Sequence, residues 1–581
     1  MSDTVNVKIN GMEIKAEKGS TILEAARIAG VQIPTLCYLK EINAIGACRI
    51  CVVEVKGSKT LVAACVFPVS EGMEVQTSSQ AVLNARKLTL ELILSSHKRE
   101  CLSCVRSGNC ELQKLCKDFK VDDESRFDGS NPEYKVDDSA VHMKRDDNKC
   151  ILCRRCVAAC SRWQSVSVIG PNDRGFNTHI GCAFDEDLGN VACVSCGQCI
   201  VVCPTGAIYE KDETDKVWAA LADPSKHVII QTAPSTRVTL GECFDMPVGT
   251  NVEGKMAAAL RRLGFKGVYD TDFAADLTIM EEAHEFIERV KQNGTLPLIT
   301  SCSPGWVKFC EHKYPEFIPN LSTCKSPQQM FGAIAKSWYA EKKGLKPEDV
   351  FVVSAMPCTA KKFEVGRDAE IKYGAADVDV ALTTRELGRL INRAGIMFAE
   401  LPDEAFDAPL DESTGAGVIF GATGGVMEAA LRTAVEELTG EKLENVDFKE
   451  VRGTAGIKEA TYNVAGIDVN ICVASGLANA ARVLESVKRG EKSYHFIEIM
   501  GCPGGCINGG GQPVQPASVR NFVDLKSARA AAIYEADRNK PLRKSHESGL
   551  IKKVYAEFLG KPGSPKAHEL LHTHYRKRAR F

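Results

Sequence analysis

Neither acidic nor basic side chains predominate in this sequence: 73 Lys plus Arg stand against 75 Asp plus Glu, a net charge of -2. Without a basic excess no general polyanion-binding surface is expected, which argues against nucleic acid as a partner. Extended apolar segments are absent as well. No stretch approaches the ~18 to 20 uncharged apolar residues of a membrane span, and the nearest candidate, Gly415 to Met427, is shorter and rich in glycine. The opening MSDTVNVKING lacks the basic-then-apolar pattern of a signal peptide, so a cytoplasmic location is expected. There is no G-x-x-x-x-G-K-S/T, and Gly415-Ala-Gly417 to Gly421 has the wrong spacing for G-x-G-x-x-G. The chain is therefore not expected to bind NAD or flavin itself.

What is abundant is cysteine. Of 25 cysteines, seventeen lie in residues 1 to 203 and eight in the remaining 378. A cytoplasmic address disfavours disulfides, and spacing then decides between zinc and iron-sulfur. At 581 residues, 44% hydrophobic and 25% charged, the composition is that of globular protein, and two to four domains are expected.

Residues 1 to about 80 begin with alternating Val5, Val7 and Ile9, a turn at Asn10-Gly11 and a second strand-like run. Ser20 is the expected cap of a helix through Ala29, and a strand-rich stretch from Cys48 to Cys65 completes a small β-grasp. Apolar spacing makes 81 to 125 helical, and Asp122 to Asp138 reads as an acidic linker or surface loop. Residues 126 to 212 hold two Cys-rich runs about forty residues apart, an internal duplication. From 213 to 581 apolar strands (HVIIQTAP, TLPLITSC, DVFVVSAMPC, GVIFGATGG, FIEIMGC) alternate with amphipathic helices. The fold class is thus multidomain α+β and α/β, with a largely parallel sheet in the back half. Strands there run toward Cys302, Cys358 and Cys502, and ligands gather at the carboxyl ends of such strands.

Cys150-x2-Cys153-x2-Cys156-x3-Cys160 and Cys193-x2-Cys196-x2-Cys199-x3-Cys203-Pro204 have the spacing of two [4Fe-4S] cubes that exchange their fourth ligand. Cys150, Cys153, Cys156 and Cys203 are assigned to one cube, and Cys160, Cys193, Cys196 and Cys199 to the other. Structural zinc gains nothing from two interlocked runs. Cys37, Cys48, Cys51 and Cys65, C-x10-C-x2-C-x13-C inside the β-grasp, form a plant-ferredoxin-like [2Fe-2S] set with a longer first loop. His97-x3-Cys101-x2-Cys104-x5-Cys110 offers three thiolates and an imidazole, with Cys116 as a rival fourth ligand.

This succession of cysteine sets resembles the front of the complex I iron-sulfur subunit, of some formate dehydrogenases and of the [FeFe]-hydrogenases. SCSPGW (301 to 306), MPCTAKKFE (356 to 364) and EIMGCPGGCINGGGQP (498 to 513) resemble the three signature segments of [FeFe]-hydrogenases, so the resemblance extends over essentially the whole chain. It implies His97 as the fourth ligand of the third accessory [4Fe-4S] cube. It also implies a back-half H-cluster: a cube joined to a di-iron subsite with carbon monoxide, cyanide and an azadithiolate. Cys358, Cys502 and Cys506 match its cube ligands, Cys506 being the bridge.

The first signature departs from the family, which has two adjacent cysteines, the first relaying protons and the second binding the cube. Here the pair is Cys302-Ser303. Strict alignment puts Cys302 on the relay position and Ser303 on the ligand position. A cube prefers thiolate over alcohol, which favours a shifted loop with Cys302 as the ligand.

Lys361, three residues past Cys358, suits a charged hydrogen bond to cyanide. Met356 and Met500 supply soft contacts, and Gly504, Gly505 and Gly509 to Gly511 leave room for a bulky cofactor. On the helix expected over 276 to 290, Glu282, Glu285 and Arg289 share one face. The resemblance implies a proton path Arg289, Glu285, Ser322, Glu282, Cys302, and a cavity position for Ser235. Six cysteines (Cys116, Cys182, Cys243, Cys310, Cys324, Cys472) receive no function, and the terminal HYRKRARF is expected to be a solvated basic tail.

The implied activity is reversible reduction of protons to H2. The implied partners are an NAD(P)-binding flavoprotein subunit with iron-sulfur clusters, a small thioredoxin-like [2Fe-2S] subunit and, through electron bifurcation, ferredoxin. A hydrogen-sensing or pure electron-transfer subunit is the alternative.

Overall fold

The computed structural model describes residues 4 to 579 except 124, 128, 130, 368 to 370, 373, 374 and 465. The front sheet has five strands in the order Met12–Glu17, Thr4–Ile9, Met73–Gln76, Val52–Val55, Val62–Ala63. Its central pair is parallel and the others antiparallel, the β-grasp arrangement. Val5, Val7 and Ile9 face the core, as period-two alternation requires. The helix Ile22–Ile28 is capped by Thr21 in a capping box with Glu24, one residue later than expected, while the Ser20 hydroxyl turns back to the Glu17 carbonyl.

Helices Gln80–Ser95 and Glu111–Asp118 follow. The two Cys-rich runs then fold about the short antiparallel ribbon Met143–Arg145 with Ile208–Glu210.

The back half is built on two four-stranded sheets rather than one. The first, Gly267–Asp270, His227–Thr232, Val350–Met356 and Val380–Thr383, is parallel throughout. The second orders Leu298–Ile299, Phe496–Met500, Ile467–Ser475 and Ile457–Val464, with only the last pair antiparallel. GVIFGATGG, expected as a strand, instead forms the helix Gly415–Ile419 and the turn into Gly425–Thr439. An apolar run buried on every side has no periodicity to tell strand from helix.

The helix Asp272–Lys291 has thirteen buried residues, among them Glu281 and Glu282. It packs against Pro327–Ile334 and Gly425–Thr439. Among the described residues no helix is long and apolar enough to cross a membrane. The basic tail docks rather than floats: Arg578 Nε lies 2.6 Å from Glu311 Oε2, and the Arg578 N–H donates to the Glu311 carbonyl at 2.9 Å.

Candidate active site and electron path

Loops following three strands, Leu298–Ile299, Val350–Met356 and Phe496–Met500, converge on one cavity. Cys302, Ser303, Cys358, Cys502 and Cys506 line it together with Ser235, Met356, Met500 and Lys361. Burial pushes the thiols of Cys358, Cys502 and Cys506 up, the last to about 12 with help from Cys358. Three cysteines and a fourth donor from Cys302 or Ser303, around an apolar cavity, fit a cube with an adjoining apolar-walled subsite.

Lys361 Nζ is aimed by Glu364 at 2.8 Å and also reaches the Cys302 carbonyl at 3.3 Å. Glu364 is itself held by Ser326 Oγ at 2.8 Å and Gln328 Nε2 at 3.0 Å.

The two members of the altered pair face different neighbours. Ser303 Oγ accepts the Gly501 N–H at 3.1 Å, beside Cys502. The Cys302 thiol is raised by burial and then by the nearby charges of Glu282 and Cys506. From Cys302 a file of polar groups leads outward. Glu282 is pushed up to about 8 by burial and by Glu285, with the neighbouring Ser322 hydroxyl opposing. Ser322 Oγ donates to Glu285 Oε2 at 2.9 Å, and Arg289 donates to Glu285 Oε1 at 2.6 Å. Arg289 and Glu285 are each about 15% exposed, so the file ends near solvent.

Several of these glycines sit against backbone. A Cβ on Gly509 would lie 2.2 Å from the Pro357 carbonyl oxygen, and one on Gly510 would lie 2.1 Å from that of Cys196. The third signature loop thus presses against both the second signature and a ferredoxin loop. Gln198 Nε2 donates to the Asn508 carbonyl at 2.9 Å and Thr359 Oγ1 to that of Ser195 at 2.7 Å, pinning the same seam.

Two further cavities each gather one proposed ligand set: Cys150, Cys153, Cys156 and Cys203 around one, and Cys160, Cys193, Cys196 and Cys199 around the other. In the β-grasp, Cys37 lies beside Cys48 and Cys51 beside Cys65, and the Cys37 thiol lowers Cys48 to about 6. His97 is half-buried, and its Nδ1 is buried without a hydrogen-bond partner, as a metal-facing imidazole nitrogen would be. Burial and Lys149 lower its pKa to about 4, keeping it neutral and able to ligate. Cys116 lies on Glu111–Asp118, against the apolar cluster of Leu36, Ile50 and Leu90.

Both outer modules meet the same ferredoxin loop. Asn43 Nδ2 donates to the Cys37 carbonyl at 2.8 Å and to the Cys153 carbonyl at 3.0 Å. Arg155, 1% exposed, pairs with both oxygens of Glu111 at 2.8 and 3.0 Å and reaches the Tyr38 carbonyl at 3.2 Å. The Glu111 N–H, next to Cys110, donates to the Pro204 carbonyl at 3.1 Å, next to Cys203.

Residues that sequence reasoning passed over include Gln512, whose Nε2 donates to the Cys506 carbonyl at 3.0 Å while Oε1 accepts from Thr239 and Thr384. Glu498, buried, accepts the N–H groups of Gly424 and Met427 at 2.6 and 2.8 Å. Both lie in the third signature, where attention to cysteine obscured them.

A double-cube domain wired to a cavity of strand-end cysteines defines an iron-only, or [FeFe]-, hydrogenase, and the chain belongs to that family. Residues 226–510 match the C-terminal domain of the iron-only hydrogenase large subunit, and 523–578 match the iron hydrogenase small subunit. Residues 2–80 match a 2Fe-2S iron-sulfur cluster binding domain, 86–125 the NADH-ubiquinone oxidoreductase-G iron-sulfur binding region and 149–207 a 4Fe-4S dicluster domain.

Among its relatives is the NADP-reducing hydrogenase subunit HndD of Solidesulfovibrio fructosivorans, 50% identical, the alignment covering 99% of this chain and 100% of that protein. Iron hydrogenase 1 of Clostridium pasteurianum is 43% identical over 98% of this chain and 99% of its own. The solved structure of apo [FeFe]-hydrogenase HydA1 from Chlamydomonas reinhardtii superimposes with a TM-score of 0.57 at 41% identity, covering 64% of this chain and 100% of that one. The chain is an [FeFe]-hydrogenase catalytic subunit with [2Fe-2S], [4Fe-4S] and H-cluster domains.

Proposed function

We propose that this subunit interconverts protons and H2 with electrons exchanged through two ports, one at the [2Fe-2S] module and one at the His97 module. The observation that carries this reading is the junction at Asn43, Arg155 and Glu111, which ties the ligand loops of both modules to one ferredoxin loop. The route is therefore branched rather than a single file. Apolar side chains stand exposed beside each port: Leu102 and Val105 among the His97-module ligands, Val66 and Phe67 after Cys65. Such patches suit docking of redox subunits. The partners proposed are an NAD(P)-binding flavoprotein with iron-sulfur clusters and a small thioredoxin-like [2Fe-2S] subunit, with ferredoxin joining if the assembly bifurcates electrons.

Cys358, Cys502 and Cys506 are proposed to hold the cube of the H-cluster, with Ser303 in the fourth position because its hydroxyl sits beside Gly501 and Cys502. This reading departs from the expectation of Cys302 as ligand, since Cys302 neighbours Glu282. When bound, the H-cluster supplies the redox chemistry that joins protons and electrons. This chain's residues do the rest. Cys302 and Glu282 hand protons between Ser322 and the cavity, Glu285 and Arg289 take them from solvent, and Lys361 offers its ammonium to a diatomic anion. Met356, Met500 and the apolar wall exclude water.

Infrared spectra of anaerobically matured protein titrated with H2 test the assignment. Carbon monoxide and cyanide bands that shift under H2 are expected. Iron at the accessory-cluster level without such bands would leave an electron-transfer or sensing subunit.

A further inference from the structure

Of the cysteines outside the cluster sets, Cys324 is not an isolated apolar filler. It is fully buried, and its Sγ lies 3.8 Å from Glu285 Oε2. Ligand atoms of Glu285, Cys324 and His572 lie within 4.8 Å of one another.

The surroundings are arranged as they are around metal-binding side chains. His572 Nε2 stands 3.1 Å from Glu281 Oε2, and Glu281 is held in turn by the Tyr555 hydroxyl and by the Gly563 N–H at 2.9 Å. A carboxylate behind one ring nitrogen fixes the tautomer and turns the other toward the ion. That other nitrogen, Nδ1, meets Thr323 Oγ1 at 2.7 Å, and the Thr323 N–H donates to Glu285 Oε2 at 3.1 Å. Glu285 is oriented by Ser322 and Arg289.

Charge points the same way. The Cys324 thiol is held protonated by burial and by Glu285, whose negative charge a divalent cation would neutralise. Among the described residues the second such group, Glu428, Asp447 and Asp537, is more fully countered, by Arg432, Arg452 and Arg543, against the single Arg289 on Glu285.

We propose that Glu285, Cys324 and His572 form a Zn2+ site at the outer end of the proton file, with water as fourth ligand. One thiolate, one imidazole and one carboxylate with an open position suit zinc better than calcium or magnesium. Binding displaces the Cys324 thiol proton to solvent and frees Nδ1 from the Thr323 hydroxyl. Zinc then occupies Glu285 and throttles H2 turnover. That consequence rests on Glu285 as a proton relay, whereas the site itself does not.

The test uses the fully matured enzyme, dialysed against chelator and then given Zn2+. One zinc retained through gel filtration is expected, with one sulfur at about 2.3 Å in the zinc K-edge absorption spectrum. Inhibition of H2 evolution that EDTA reverses is expected as well. Cys324→Ala and His572→Gln, whose turnover without zinc matches the parent, raise the half-inhibiting concentration roughly 10-fold or more. No retained zinc, a sulfur-free shell, or equal retention by both variants overturns the proposal. Zinc retained with its sulfur while turnover continues leaves the site standing and overturns the relay role of Glu285.

Discussion

Glu282 carries a proton where most carboxyls have lost theirs. With its pKa near 8 against the usual 4.5, the folded chain holds a proton between those values that the unfolded chain releases. Stability therefore falls as pH rises through that window. Glu282→Gln removes the penalty, so the melting temperature of the variant relative to the parent rises from about pH 5 to about pH 8. The same variant cannot pass a proton, and H2 evolution drops by about 100-fold or more while chemical reduction of the accessory clusters is unchanged. At this scale the sequence was most informative: thiolate spacing alone grouped the cysteines that line the two ferredoxin cavities. It could not reveal Gln512 or Asn43, whose partners lie 6 and 273 residues away in one case and 6 and 110 in the other. An amide side chain has no motif, and its meaning comes wholly from what folds against it.

Among the elements, the loop Gly509 to Gly511 shows why glycine recurs beside the cluster cysteines. Gly510→Ala sets a methyl against the Cys196 carbonyl and the Gly197 backbone, neither of which is the far end of a flexible chain. The ferredoxin loop must then part from the catalytic loop. Electron delivery to the cavity is expected to slow at least tenfold in stopped-flow reduction, with accessory-cluster content unaltered; unchanged rates would show that the seam yields elsewhere. Strand-helix alternation was legible here, yet the division into two sheets was not, because sheet membership is decided by hydrogen bonds between segments nearly 200 residues apart, such as Leu298 with Phe496. The helix at Gly415–Ile419 escaped for a different reason, since complete burial erases the polar face that betrays a helix.

Across the whole molecule, the ferredoxin domain is the hub. Replacing Asn43 by Leu removes the donor shared by the Cys37 and Cys153 carbonyls without touching Glu111 or Arg155. Freeze-quench electron paramagnetic resonance under H2 should then show the [2Fe-2S] signal developing at least tenfold later while the signal of the cube proposed at His97 keeps its time course. Equal delay of both would contradict two independent ports.

The C-terminal segment reaches over the molecule by contacts that do not need the peptide chain leading to it. Arg529 grips Glu242 at 2.6 Å, Asp537 pairs with Arg432 at 2.9 Å, and Arg578 holds Glu311. Just before it, Asn521 is bound by the Lys40 N–H and Phe522 lies under Arg27, so each side of the Phe522–Val523 bond has its own anchors. Residues 1–522 and 523–581 produced as two polypeptides should therefore reassociate into a working hydrogenase at a one-to-one ratio, measurable by copurification and H2 evolution. Gene fission at this bond is thus structurally permitted, and a single reading frame is one of two ways to encode the same machine.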